Sequence, residues 1–428
     1  MNTSSSSKAI TAAPALEEEL RAIVGAANVR AASAAKAFGE AQPRIVVEPG
    51  GEKELASVLR LANEAGLAVI PCGGGTKLSW GNSPARADLL LSTARLDKII
   101  EHVWADLTVT VEAGCTIQKL QDTLSRHGQR LALDALWPER ATIGGVLSTN
   151  DSGALRLRFG SLRDLVIGMT IALPDGTLAS SGGKVVKNVA GYDLPKLMTG
   201  ALGTLGVITR AVFRLHPLPK ITRTFSVSAG NLEATQQALH VVQNSKLAHT
   251  AMQVRVAHDA APGTDVLFEG TAAGLSAQET QLKKLLEFVV VTEIPPTVWN
   301  ARQELWFPSD SAAIVKFSVL PANIANGIET VRRVAAHHQI RWKAVVQATG
   351  LGWLRLDGSP DRLHAGMQEL RTELERVGGS LIVLHRPAGI GPLDAWGNAG
   401  DALPLMCAVK QQFDPKGTLN PGRFVSRI

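Results

Sequence analysis

In the stretch PCGGGTKLSW (71–80), three consecutive glycines, Gly73, Gly74 and Gly75, follow the short apolar run Leu67-Ala68-Val69-Ile70. Glycine weakens a strand, so a run of it marks backbone that must approach something closely or adopt positive φ. Converging backbone N–H groups, unobstructed by side chains, can form a nest for an anion such as a phosphate. The alternative is an ordinary flexible turn. Two phosphate motifs are excluded. No GK[ST] follows at P-loop spacing, and the glycines end a β-α-β unit instead of directly opening a helix, as the dinucleotide fingerprint requires. A second stretch, LALDALWPERATIGGVLSTNDSGALRLRFG (131–160), is rich in Gly, Ser, Thr and Asn and reads as mostly non-helical. Irregular backbone of this length within a domain is more often a functional lining than a linker.

Metal chemistry finds little support. Cys72, Cys115 and Cys407 lie far apart without CxxC spacing, which gives neither an iron–sulfur nor a zinc site. No His-x-His occurs, and His337-His338, adjacent on an expected helix, should project about 100° apart and fail to chelate together. No metal is expected. The 428 residues leave room for two or three domains, and 45% apolar with 19% charged residues is an ordinary globular composition. A net charge of +6 without a block of five Lys/Arg gives no support for nucleic-acid binding. The N-terminus lacks an apolar h-region and carries Glu17-Glu18-Glu19, so it reads as a tail, not a signal peptide. With no membrane-length apolar run, the expectation is a cytoplasmic chain that partners could hold at the inner membrane.

The elements that must position the glycines can be read from periodicity. Residues 44–48 form a strand, Glu52–Ala65 a helix with Gly66 as its C-terminal cap, and 67–70 a strand that delivers the glycine run. Strands follow at ADLLLST and LTVTVEAG, then a helix capped by Thr116 with Ile117, Leu120 and Leu124 on one face, stopped by Gly128. LVIGMTIALPDGTLASS reads as a hairpin around Pro174-Asp175-Gly176. From about Thr222 a β-α-β-β-α pattern occurs twice, the second copy closed by a final strand, which implies one antiparallel sheet with helices. The fold class is therefore α+β. The divisions are 1–43 as tail and helical lead-in, 44–221, 222–404 as an α+β cap, and 405–428 as a C-terminal segment.

PCGGGTKLSW, ATIGGVLSTNDSG, RFGSLRDLVIGM, GKVVKNVAGYDLPKLMTGALGTLGVIT and FDPKGTLNPGRF, in this order, resemble the FAD-binding oxidoreductases related to vanillyl-alcohol oxidase (PCMH-type). Within them the block Gly182–Thr209 is similar to the FAD-binding subunits of bacterial glycolate oxidases. The resemblance is dense over 45–220, thin over 221–400, and returns at 411–424. It implies two α+β subdomains that clasp FAD and a third that caps the substrate side. It also implies that Cys72, Gly73, Gly74, Gly75, Thr76, Lys77 and Ser79 hold the FAD pyrophosphate. By the same resemblance Pro138, Thr142, Gly144 and Gly145 line the ring and ribityl chain, and Thr149, Asn150, Ser152 and Gly153 continue along the cofactor. Gly206, Val207 and Ile208 would run past the adenine half, and Asn420 of the NPG motif would return to the flavin. Covalent FAD in the family uses a loop His. Here Thr76 stands in that region and no His lies between Arg44 and Glu101, so FAD is expected to be non-covalent.

Two residues are candidates for catalysis: Arg423, whose planar fork suits a substrate carboxylate, and His385 at the end of an apolar strand. Packing roles are the alternative for both. Leu202 stands where relatives with GSEGTLG carry an acid. The flavin machinery is thus fuller than the oxidising machinery. The resemblance implies a subunit of a complex that oxidises glycolate to glyoxylate, with a second flavin subunit carrying the hydroxy-acid site and an iron–sulfur subunit accepting electrons. A stand-alone FAD-dependent dehydrogenase or oxidase of another 2-hydroxy acid or alcohol, and a structural flavoprotein subunit without turnover, are the alternatives.

Overall fold

Residues Glu52–Glu64 form a helix in the computed structural model, which describes residues 5–33, 41–183 and 192–428. Leu55, Val58, Leu59 and Ala62 recur at helical spacing and are buried, and Gly66 (φ +68) follows in the left-handed conformation. This face packs on β1 (Val29–Ala31), β2 (Ile45–Val47), β3 (Val69–Cys72) and β4 (Leu89–Ser92), ordered β1-β2-β4-β3 with β2, β4 and β3 parallel. The N-terminal segment, expected as a tail with a helical lead-in, is helical over Ser5–Val24. Leu16, Leu20, Ile23 and Val24 share one helical face and join the same core.

The next strands are β5 (Ile99–Val103), β6 (Thr108–Glu112), β7 (Gln129–Arg130), β8 (Val166–Ala172), β9 (Leu178–Gly182), β10 (Val207–Arg214) and β11 (His216–Pro217). They give an antiparallel sheet in the order β5-β6-β10-β8-β9, with β7 and β11 paired separately. β8 and β9 are the hairpin around Pro174-Asp175-Gly176. The Thr116 hydroxyl accepts from Lys119 N, capping the helix Ile117–Ser125. The stretch 131–160 is more ordered than its composition suggests, with helices at Ile143–Thr149 and Arg156–Phe159. The Thr142 hydroxyl caps the first, and Ile143, Val146 and Leu147 bury one face in the core of the second sheet. Packing there overrides the poor helix propensity of Gly144 and Gly145. In the block Gly182–Thr209, residues 184–191 (KVVKNVAG) lie outside the described residues.

The third sheet holds β12 (Ile221–Ser228), β13 (His249–Ala257), β14 (Ala260–Gly270), β15 (Val290–Ile294), β16 (Ala312–Ser318), β17 (Arg341–Gln347), β18 (Leu351–Asp357) and β19 (Ser380–His385). Their order is β15-β12-β14-β13-β17-β18-β16-β19. From either edge inward the sequence is closing strand, first, third, second, so two equivalent halves meet at the antiparallel pair β13–β17. Both halves therefore end in a closing strand. The first of these, β15, is hard to read in sequence because its half-exposed edge position lacks the apolar alternation of an inner strand. Helices Leu232–Gln243, Ala272–Leu285, Ile324–His337 and Pro360–Arg376 bury their apolar stripes on one face of the sheet.

The other face turns Ile314, Val345, Trp353 and Leu384 toward Trp80 and Leu136 of the first two subdomains. His337 and His338, expected to diverge, converge on Glu369, at 3.0 and 2.8 Å. The helix ends at His337, and His338 (φ −91, ψ 5) leaves the helical path that would have separated the rings. At the C-terminus, Val69 N donates to Thr418 O and Asn420 N to Val69 O, which lays 418–420 along β3. No helix among the described residues is long and apolar enough to cross a membrane.

Candidate flavin site

β3 ends in the glycine run, and a cavity opens there. Cys72, Gly73, Gly74, Gly75, Thr76 and Lys77 line it, facing Thr142, Gly144, Gly145 and Thr149, with Gly206, Val207 and Ile208 from the start of β10 and Asn420 from the returning C-terminus. Ser148, Leu202 and Gly203 also contribute; they lie within the resembling motifs but are not among the residues those motifs assigned to FAD. Leu202 (φ +51) and Gly203 (φ +66) share the left-handed turn that brings the chain to the cavity. Asn420 Nδ2 holds this turn by donating to Leu202 O at 2.6 Å.

The glycines answer first to the protein itself. A Cβ on Gly74 would lie 1.7 Å from Arg140 O, and one on Gly73 would lie 2.1 Å from the Thr142 hydroxyl. Gly75 (φ +72) then reverses the chain. The loop thus docks against residues 140–142 while it lines the cavity.

Five residues singled out from the sequence fall elsewhere. Ser79 is exposed. Pro138 O accepts from Gln118 N, tying its loop to the Ile117–Ser125 helix. Asn150 (φ +49) ends the Ile143–Thr149 helix. Ser152 O accepts from Arg302 at 3.1 Å, and Gly153 N donates to Asp134 Oδ1 at 2.8 Å. Here glycine is required by the carboxylate, since a Cβ would lie 2.2 Å from Asp134 Oδ2.

Beside the cavity runs a seam that the sequence does not reveal. The Lys77 ammonium lies 3.2 Å from Asp151 Oδ2, and Arg302 of the cap reaches Asp151 Oδ1 at 2.8 Å, with all three side chains buried. Burial raises the Asp151 carboxyl, but the Arg302 and Lys77 charges and the Leu136 N–H outweigh it and hold the group below its ordinary range. Burial lowers Lys77, opposed by Asp151. Above this ion cluster Trp306 stacks on Trp80 (6.0 Å, 17°) and meets Trp137 edge-on (5.0 Å, 76°). His385 packs beside Trp306, with ring centres 6.5 Å apart, and does not line the cavity. Burial and then the Arg355 charge lower its imidazole, which favours the neutral form. Arg423 does line the cavity, with Nη2 donating to Leu78 O and Trp80 O, both at 2.7 Å. It therefore braces the glycine loop. Composition holds one signal for the seam: eight tryptophans against a single tyrosine.

The cavity fits FAD: its walls are mostly backbone and small side chains from residues 71–78, 142–149, 202–208 and 420–423, with a guanidinium among them, as an extended anionic dinucleotide needs. Residues 43–182 match a family described as FAD binding domain. The chain is 24% identical to the glycolate oxidase subunit GlcD of Bacillus subtilis over 91% of its length and 90% of that protein. It is 38% identical to a D-lactate dehydrogenase of Archaeoglobus fulgidus, over 40% of this chain and 39% of that one. Among solved structures, p-cresol methylhydroxylase superimposes with a TM-score of 0.77 at 16% identity, covering 96% of both chains.

Proposed function

We propose that this chain, an FAD-dependent oxidoreductase of the PCMH-type, vanillyl-alcohol-oxidase-like fold, is the FAD-binding subunit of a glycolate oxidase (glycolate dehydrogenase) complex. In this reading glycolate becomes glyoxylate, and electrons pass to a second flavin subunit and an iron–sulfur subunit. The complex sits in the cytoplasm, peripheral to the inner membrane through its partners. Residues 44–221 bind FAD, 222–404 cap it, and 405–428 return to it. The observation that carries the proposal is the contrast between an open cradle and a seam filled by Trp80, Trp137 and Trp306.

When bound, FAD supplies the two-electron acceptor for an alcohol C–H bond and the donor to the next carrier. The amides of Gly73 to Lys77 would hold its pyrophosphate, and Thr142, Gly144 and Gly145 would border its ring. Arg423 fixes the loop carbonyls of Leu78 and Trp80, so these amides stay oriented without reorganising. The tryptophans cover the Lys77 ammonium beside the cavity. Oxidising an alcohol also requires a base for the hydroxyl proton. His385, one of the imidazoles that burial lowers, lies beside Trp306 and does not line the cavity, which favours a substrate site completed by a partner subunit.

A second reading, a stand-alone dehydrogenase of another 2-hydroxy acid, is favoured by the local 38% identity to D-lactate dehydrogenase. The test is reconstitution from purified subunits. Glycolate-dependent acceptor reduction should require this chain together with its partners; full turnover by this chain alone would favour the second reading. The lining holds no histidine, and FAD is expected to be non-covalent. Heat or acid should release all flavin to the supernatant, and colour retained in the precipitate would contradict this.

A further inference from the structure

The cap carries a side-chain cluster on the helical side of its sheet, remote from the flavin cavity. His337 ends the helix Ile324–His337, His338 is its C-terminal cap, and Glu369 projects from the neighbouring helix Pro360–Arg376. We propose that His337 Nδ1, His338 Nε2 and Glu369 Oε2 form a binding site for a divalent cation of the zinc class.

The three ligand atoms lie within 4.8 Å of one another, with both nitrogens directed at the same oxygen, at 3.0 and 2.8 Å. Tetrahedral zinc, with bonds of about 2.0–2.2 Å, places its donors roughly 3.3–3.5 Å apart. A retreat of Oε2 by about half an ångström would bring both of its distances to the imidazole nitrogens to this spacing. Two imidazoles and one carboxylate form a donor set that zinc uses with a fourth position left to water, whereas magnesium and calcium prefer oxygen donors throughout.

The surroundings orient this set. Arg333 approaches the other carboxylate oxygen, Oε1, at 3.5 Å, and also pairs with Glu373 at 3.1 Å. Its charge repels a cation, but it is exposed and screened, and it keeps Oε2 facing the imidazoles. The C-terminal end of the helix adds partial negative charge beside both histidines. Gln339 (φ +52) turns the chain away immediately afterwards, leaving His337 open to solvent. A bound ion would staple two helices of the second cap half and would not touch the flavin site.

The experiment is calorimetric titration of the flavin-loaded protein, first stripped with chelator, using zinc(II) and, in parallel, magnesium(II). The expected result is one zinc per chain, no magnesium binding at comparable concentration, and a thermal midpoint that rises with zinc concentration. His337→Ala and His338→Ala should each weaken this zinc by more than the ~10–100-fold that loss of an outer-shell partner costs. Cys407→Ser should leave it unchanged. Both histidine variants should retain wild-type flavin content and metal-free thermal midpoint, which separates ligand loss from misfolding. His337 is largely exposed, so its variant keeps the test valid if the others fold poorly. No zinc uptake, or zinc uptake of equal affinity in both histidine variants, would overturn the proposal.

Discussion

The flavin cradle and the tryptophan seam adjoin each other but are built on opposite principles. The cradle is backbone: glycine amides, a capped helix start and a left-handed turn at Leu202-Gly203, drawn together by contacts too close for side chains. The seam is side chain: four indoles at Trp80, Trp137, Trp306 and Trp353, around an ion cluster of Lys77, Asp151 and Arg302. Backbone sites tolerate little substitution at a few positions. Side-chain seams depend on charge compensation and filled volume, so their failures are graded.

The largest effect is expected in the cradle. Gly74→Leu should reduce flavin content to near zero, and it should also destabilise the protein by more than the ~1–3 kcal/mol of ordinary overpacking, because its Cβ alone would collide with Arg140 O. Absorbance of the purified variant and its chemical denaturation measure both. A fully yellow, stable Gly74→Leu protein would mean that the loop does not dock as described.

Next comes Asp151→Asn. It leaves Lys77 and Arg302 buried without their counter-charge, and an uncompensated buried ion costs about 3–5 kcal/mol. A loss below about 1 kcal/mol in urea unfolding, the range of exposed pairs, would show that water reaches the seam.

The smallest effect concerns pH. Burial lowers the Lys316 ammonium to about 8, with Asp151 opposing and Arg156 and Arg302 assisting; its Nζ lies 5.6 Å from the Trp353 ring centre. An unfolded lysine keeps its proton to about pH 10.4. Between these values the unfolded chain binds more protons, so the penalty is full below the folded value and is relieved as pH rises. The stability deficit of wild type relative to Lys316→Met should therefore shrink between about pH 7 and about pH 10. A pH-independent difference would place Lys316 in water.

The two regions also differ in what their sequence discloses. The helix Glu52–Glu64 and the cap on Ile117–Ser125 are visible because their signals are local, within a few residues. The Gly73–Gly75 run is visible as a feature, but its reason, contact with Arg140 and Thr142, is not, since those partners lie about seventy residues away. Asp151 and Arg302 are separated by 151 positions, and nothing near either announces the pair. Gly153 misleads because a glycine that admits a carboxylate looks, in sequence, like one that admits a cofactor. His337-His338 misleads because helical spacing applies only while the helix continues, and it ends there.

The central proposal is that this chain holds flavin in an open cradle while a partner completes the hydroxy-acid site. The direct measurement is anaerobic addition of glycolate to the isolated, FAD-loaded chain, following loss of flavin absorbance, and repetition with the partner subunits present. The account predicts little or no bleaching alone and rapid bleaching in the complex. Rapid bleaching of the isolated chain, abolished by His385→Ala, would contradict it and make this chain itself the dehydrogenase.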